Sequence, residues 1–128
     1  YLLLNEIEAE MLFNKKIYGL NKKLNQKVLT KLISNVFKKG INKGIVIHSP
    51  TESLYFDRTI KIHTKSKIMT KGKIINSVGA GDAFCAAFIF GIHENWHIKK
   101  TLKKAHAAGT SMMKVNASSG NLPNIIKL

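Results

Sequence analysis

Between Leu24 and Ile47 the hydrophobic period of the chain switches, and that switch narrows the folds open to it. Leu24, Val28, Leu29, Leu32, Ile33, Val36 and Phe37 fall on one stripe of a helix over 24–38, with Lys and Asn filling the other face. Gly40 is its natural stop, and the β-branched run GIVIH (44–48) then reads as a strand. Upstream, residues 1–4 (YLLL) read as a short buried strand. Residues 6–13 read as a short helix with Ile7, Met11 and Leu12 facing inward, and 14–22 as a loop around Gly19. Downstream, a turn at Ser49-Pro50-Thr51 leads to strands at 53–56 (SLYF) and 59–63 (TIKIH), and 73–75 reads as one more. An apolar helix is expected over 81–93. A second follows over 97–114 with Leu102, Ala105, Ala108 and Met112 inward, then a loop over 116–123. This order predicts an α/β fold with a largely parallel sheet. No internal repeat or linker marks a domain boundary.

Composition excludes several classes. At 128 residues and 45% hydrophobic content, the chain is one domain or part of one, and is neither disordered nor fibrous. No apolar run approaches the roughly 18 residues a membrane-spanning helix needs, so no membrane partner is expected. The start, YLLLNEIEAE, lacks the features of a signal peptide, and Tyr1 in place of Met suggests a piece of a longer protein. A single cysteine, Cys85, excludes an internal disulfide and fits a reducing, cytoplasmic setting; within an apolar helix it reads as an inert thiol. The net charge of +14 raises the question of nucleic acid. Only Arg58 is an arginine, however, and the lysines come as scattered pairs, a solvated surface rather than a specific nucleic-acid footprint. His48, His63, His93, His97 and His106 have no partners at metal-ligand spacing, and Trp96 reads as a packing anchor.

Chemistry concentrates at Ser77-Val78-Gly79-Ala80-Gly81-Asp82. Only two Asp occur in the chain, Asp57 and Asp82. Small residues at 79–81 open an apolar helix, where free N–H groups and the helix dipole favour an anion. Asp82, in the first turn, is placed to stay ionised and to accept a proton from a hydroxyl, which together describes phosphoryl transfer. The spacing alone leaves a second reading open, in which Asp82 is a helix N-terminal acid and the glycines a turn. It matches neither the dinucleotide-binding glycine pattern nor a P-loop.

The longer string SVGAGDAFCAAFIFGI closely resembles the C-terminal signature of the ribokinase-like, or PfkB, family of carbohydrate and nucleoside kinases. Asn5-Glu6-Ile7-Glu8 resembles that family's Asn-x-x-Glu segment. AHAAGTSMMKV (105–115) and the NASSGNLP loop resemble its last helix and nucleotide-closing loop. The resemblance implies a ribokinase-like three-layer sandwich, and an ATP-dependent enzyme that phosphorylates a hydroxyl of a sugar or nucleoside. It implies Asp82 as catalytic base, and Gly79, Ala80 and Gly81 as the anion hole holding ATP phosphate. It further implies Asn5 and Glu8 as indirect organisers of Mg²⁺.

Three departures qualify what carries over. Asn76-Ser77 stand where most members have Asp-Thr, which puts activation by a monovalent cation in question. His48, Pro50 and Ser53 replace the residues of the usual Thr-x-Gly-x-x-Gly loop near the phosphates. Asn76 and Ser49 are therefore the candidates for a monovalent-cation or phosphate loop, and the Pro-x-Glu-Ser loop leans toward the pseudouridine kinase branch. Finally, nothing in 1–128 corresponds to the family's N-terminal sugar-binding half, whose lid would also supply a homodimer contact. The chain reads as the C-terminal portion of the kinase domain. The alternative is a non-catalytic remnant that at most binds nucleotide.

Overall fold

The computed structural model describes residues 1–66, 74–115 and 124–127. The chain divides into two compact units, Tyr1–Lys65 and Ser66–Leu128. In the first, strand β1 (Leu2–Asn5) leads directly into helix α1 (Glu6–Phe13), followed by α2 (Gln26–Lys38), β2 (Ile45–His48), β3 (Glu52–Phe56) and β4 (Lys61–Lys65). The sheet order is β1-β2-β3-β4. The stripe of α2 packs Leu29, Ile33, Val36 and Phe37 against Ile45, Ile47, Leu54 and Phe56 on one face of the sheet. Asn25 caps this helix, its side chain accepting from the Val28 N–H at 3.1 Å.

The α/β class holds, but the sheet is mixed rather than largely parallel. Only β1–β2 is parallel; β2–β3 and β3–β4 are antiparallel. The reason is length. Residues 49–51 and 57–60 suffice for hairpin turns, whereas a parallel crossover needs a dozen or more residues. Strand β4 begins two residues later than the alternating pattern suggested, because the Asp57 carboxylate accepts from the N–H groups of Thr59 (2.7 Å) and Ile60 (2.8 Å) and folds both into the turn. In α1 the inward residue is Ala9, fully buried, while Ile7, Met11 and Leu12 are exposed. Lys73 and residues 116–123 lie outside the described residues, and Ile74 and Ile75 are not in a strand.

The second unit contains α3 (Ala80–His93) and α4 (Ile98–Met112), a helical hairpin. A Cβ added at Gly91 would stand 2.6 Å from Thr101, and one at Gly109 would stand 2.9 Å from the Ala80 carbonyl oxygen. These contacts, at opposite ends of the pair, make the helices antiparallel and closely packed. Phe84 meets His106 edge-on at 5.1 Å. Trp96, in the connecting turn, packs edge-on against Phe90 and carries Lys100 over its ring at 4.2 Å. Cys85 is half-buried. Among the described residues, no helix is long and apolar enough to cross a membrane.

Candidate active site

In the second unit the site is the start of α3. Gly79 is its N-cap, with φ of +79°, a left-handed conformation that glycine adopts without the Cβ penalty. No side chain caps this helix. The Ala80 N–H donates to the Ser77 carbonyl at 3.3 Å and the Ala83 N–H to the Gly79 carbonyl at 2.9 Å. Among the described residues, the N–H groups of Gly79, Gly81 and Asp82 have no partner. Of the expected trio Gly79, Ala80 and Gly81, Ala80 is the one whose N–H has a backbone partner. The Ala80 donor is turned into the bend, and the Asp82 donor lies open with Asp82's own exposed side chain in the first turn. A Cβ at Gly81 would meet nothing within 4 Å, so the mouth is open space. Just upstream, the Asn76 side chain accepts from the Val78 N–H at 3.0 Å and shapes the approach to the helix.

In the first unit the other candidates gather at the carboxyl ends of the parallel pair β1–β2. This is the end of an α/β sheet where ligands bind. Asn5 pairs with His48 across the two strands. Asn5 is also the N-cap of α1. Its side chain accepts from the Glu8 N–H and the Glu8 carboxylate accepts from the Asn5 N–H, both at 2.8 Å. Both residues are therefore spent on a reciprocal cap. Burial pulls the His48 imidazole down to about 4, opposed by the Glu8 charge, so this ring is neutral at pH 7. Ser49 is buried. Its hydroxyl donates to the Glu52 carbonyl at 3.2 Å and accepts from the Thr51 and Glu52 N–H groups, so it serves the β2–β3 turn.

Three further features escaped the sequence reading. Register places Asn5, His48, Ser53 and Thr64 in one row across all four strands, on a single face. Ser53 and Thr64 are buried, and among the described residues the Thr64 hydroxyl has no hydrogen-bond partner. The second feature is Glu52, 5% exposed, whose carboxylate accepts from the Leu24 N–H and meets His63 at 2.6 Å. The third is Glu10, which accepts from Tyr18 and Ile17 N–H groups; these bonds, with Lys16, hold its carboxyl below the usual range. Only the polar alternation of the strands hinted at the row. The Glu52 link joins residues far apart in sequence and leaves no local signature. Asp57, the other aspartate, is occupied by its turn.

Comparison with known proteins agrees over nearly the whole chain. The family profile for pfkB family carbohydrate kinases matches residues 1–125. A D-tagatose-1-phosphate kinase of Bacillus licheniformis is 27% identical over 97% of this chain and 37% of its own length. A 5-dehydro-2-deoxygluconokinase of Clostridium botulinum is 34% identical over 41% of this chain and 16% of its own. Among solved structures, Arabidopsis thaliana ribokinase complexed with ribose and ATP superposes with a TM-score of 0.74 at 21% identity, covering 98% of this chain and 39% of that one. The chain spans 37% of the length of the first of these curated relatives and 16% of the second.

Proposed function

The chain belongs to the pfkB family of carbohydrate kinases, and from that premise we propose that it is the nucleotide-binding, catalytic-base part of an ATP-dependent kinase acting on a hydroxyl of a sugar or nucleoside. The observation that carries this reading is the uncapped start of α3, where the N–H groups of Gly79, Gly81 and Asp82, without a partner among the described residues, share one turn with an exposed carboxylate. In the proposed reaction the acceptor hydroxyl gives its proton to the Asp82 carboxylate while its oxygen bonds to the terminal phosphorus. The bond from that phosphorus to the bridging oxygen breaks, and ADP leaves with the electron pair. The open N–H groups face the charge that grows on the transferring phosphoryl oxygens, a service that needs no rearrangement as the reaction proceeds.

Mg²⁺ bound with ATP would neutralise phosphate charge, and Asn5 and Glu8, oxygen donors suited to that ion through water, would help hold it. The capping box leaves that role secondary to their work on α1. Asn76 and Ser49 each already serve a local turn, so dependence on a monovalent cation is not part of the proposal. The loop Ser49-Pro50-Thr51-Glu52-Ser53 supports a lean toward a pseudouridine-like acceptor.

Replacing Asp82 by Asn in the full-length gene product tests the reading. The change is nearly isosteric, so ATP affinity should hold while turnover falls by about 10²–10⁴, the usual worth of a general base. Turnover close to wild type would remove Asp82 from the mechanism. The second reading, a binding-only remnant, is favoured by the replaced glycine loop. Calorimetric ATP binding without any ATP turnover in the full-length protein would establish it.

A further inference from the structure

The turn of residues 57–60 follows β3, which runs antiparallel to β2, so it stands at the end of the sheet opposite Asn5 and His48. With the C-terminal half of α2 it walls a cavity of about 480 Å³, a volume in the range of small-molecule sites. All of its lining residues belong to the unit Tyr1–Lys65. The floor is apolar: Ile33, Phe37 and Phe56 lie in the core, and the exposed Ile60 adds a wall. Around it stand three cations, Lys38, Arg58 and Lys61. Arg58 lies over the Phe37 ring, 5.5 Å from its centroid.

The polar groups of this cavity divide sharply into spent and unspent. The Thr30 hydroxyl donates to the Gln26 carbonyl at 2.8 Å and the Ser34 hydroxyl to the Lys31 carbonyl at 3.0 Å. The one carboxylate, Asp57, accepts from the Thr59 N–H and hydroxyl and the Ile60 N–H at one oxygen, and from the Tyr55 hydroxyl at the other. The three cations, by contrast, have no carboxylate partner and no hydrogen-bond acceptor among the described residues. The acceptors are used and the charged donors are free, so the cavity calls for an anion. The dipole of α2 accounts for Lys38 in its last turn. It does not account for Arg58 and Lys61, which lie on the turn and on β4. Of 21 basic residues only Arg58 is an arginine. Its planar fork pairs two oxygens of a phosphate at once, which a lysine cannot do.

We propose that this cavity is a binding site for a small phosphate monoester with an apolar body, its phosphate held by Arg58, Lys38 and Lys61 and its body laid against Ile60 and the apolar floor. Three cations set against one occupied carboxylate suit a doubly charged phosphate better than a single carboxylate. The inference stands apart from the kinase reading: it uses no residue of the α3 start.

The test is titration of the isotope-labelled full-length gene product with phenyl phosphate, followed by NMR. The N–H signals of Thr59 and Ile60 and the side-chain signal of Arg58 should shift to saturation. Inorganic phosphate, which has no apolar body, should bind severalfold more weakly. Arg58→Gln should weaken phenyl phosphate about tenfold, the usual worth of hydrogen bonds to a charged group. Arg58→Lys keeps the charge without the fork and should recover only part of that loss. Ile60→Ser should weaken phenyl phosphate and leave inorganic phosphate unchanged. Arg58 and Ile60 are both exposed, so these variants should fold like wild type. Three results would each overturn the proposal: no saturable shift at residues 58–60, shifts confined to residues 79–82, or the same phenyl phosphate affinity in wild type and Arg58→Gln. Equal affinity of the wild type for phenyl phosphate and inorganic phosphate would also overturn it, since the apolar floor would then play no part.

Discussion

Helices α1 and α3 begin alike on paper. Each has acidic residues in its first turn, Glu6 and Glu8 in one and Asp82 in the other, and each therefore sets carboxylates against the positive end of a helix dipole. In α1 that end is closed: the Asn5 and Glu8 side chains satisfy each other's backbone donors. In α3 it is open, because Gly79 has no side chain to fold back and Asp82 points away into solvent. The other two described helices are also capped, by Asn25 and His97. A cap converts free donors into helix stability. Leaving them free forgoes about 1 kcal/mol of that stability and keeps the donors available to an anion. The same kind of acidic helix start is thus closed by a cap in one unit and left without one in the other.

Three substitutions in the full-length protein probe that contrast. The largest effect is expected from Gly81→Val, which fills the open mouth. Nothing lies within 4 Å of the added Cβ, and valine is no worse than glycine in a helix, so unfolding stability should stay within about 0.5 kcal/mol. Mg-ATP affinity should fall tenfold or more, roughly 1.4 kcal/mol. A variant that unfolds far more easily but keeps the ATP-induced rise in melting temperature would make the glycine turn structural. Next, Asn5→Ala opens the closed mouth and should cost about 1 kcal/mol in chemical denaturation. No loss would mean that the cap is idle. The smallest effect is expected from Glu8→Gln, since glutamine also completes a capping box and stability should move by less than about 0.5 kcal/mol. The informative readout there is the Mg²⁺ concentration needed for half-maximal turnover. A rise assigns Glu8 to the ion as well as to the cap, whereas an unchanged requirement leaves it a cap alone.

Much of the architecture is legible in the residues. The α2 stripe recurs at helical spacing, and Ile45, Val46 and Ile47 form a run of β-branched side chains that are all buried, so local pattern and tertiary burial agree. The start of α3 is legible for a different reason: two glycines and an aspartate ahead of an apolar helix are unusual enough to stand out. Elsewhere the local pattern underdetermines the answer. A two-turn helix such as α1 can bury one small residue, and Ala9 fills that place while the larger Ile7 and Met11 stay outside. The start of β4 lies two residues beyond the start of the alternating run, and a shift of two leaves an alternating pattern on the same face. Only the Asp57 turn breaks the tie, through hydrogen bonds that spacing does not reveal. The cap on α1 was readable as Asn-x-x-Glu, but that string serves a cap and an ion equally well. The Glu52–His63 link could not be read at all, since only the register of β3 against β4 makes the two neighbours.

The glycines of the helical hairpin carry a consequence for how the gene can drift. Every single-base change that replaces a glycine codon with another amino acid adds a Cβ. At Gly91 and Gly109 that atom would collide with Thr101 or with the Ala80 backbone, so folding alone weeds out such alleles whether or not the protein ever meets a substrate. At Gly81 the fold raises no steric objection. If the proposed nucleotide site is right, a lineage that lost it would keep the first two glycines and let the third wander, so the spread of residues at position 81 among descendants would record how long the site was in use.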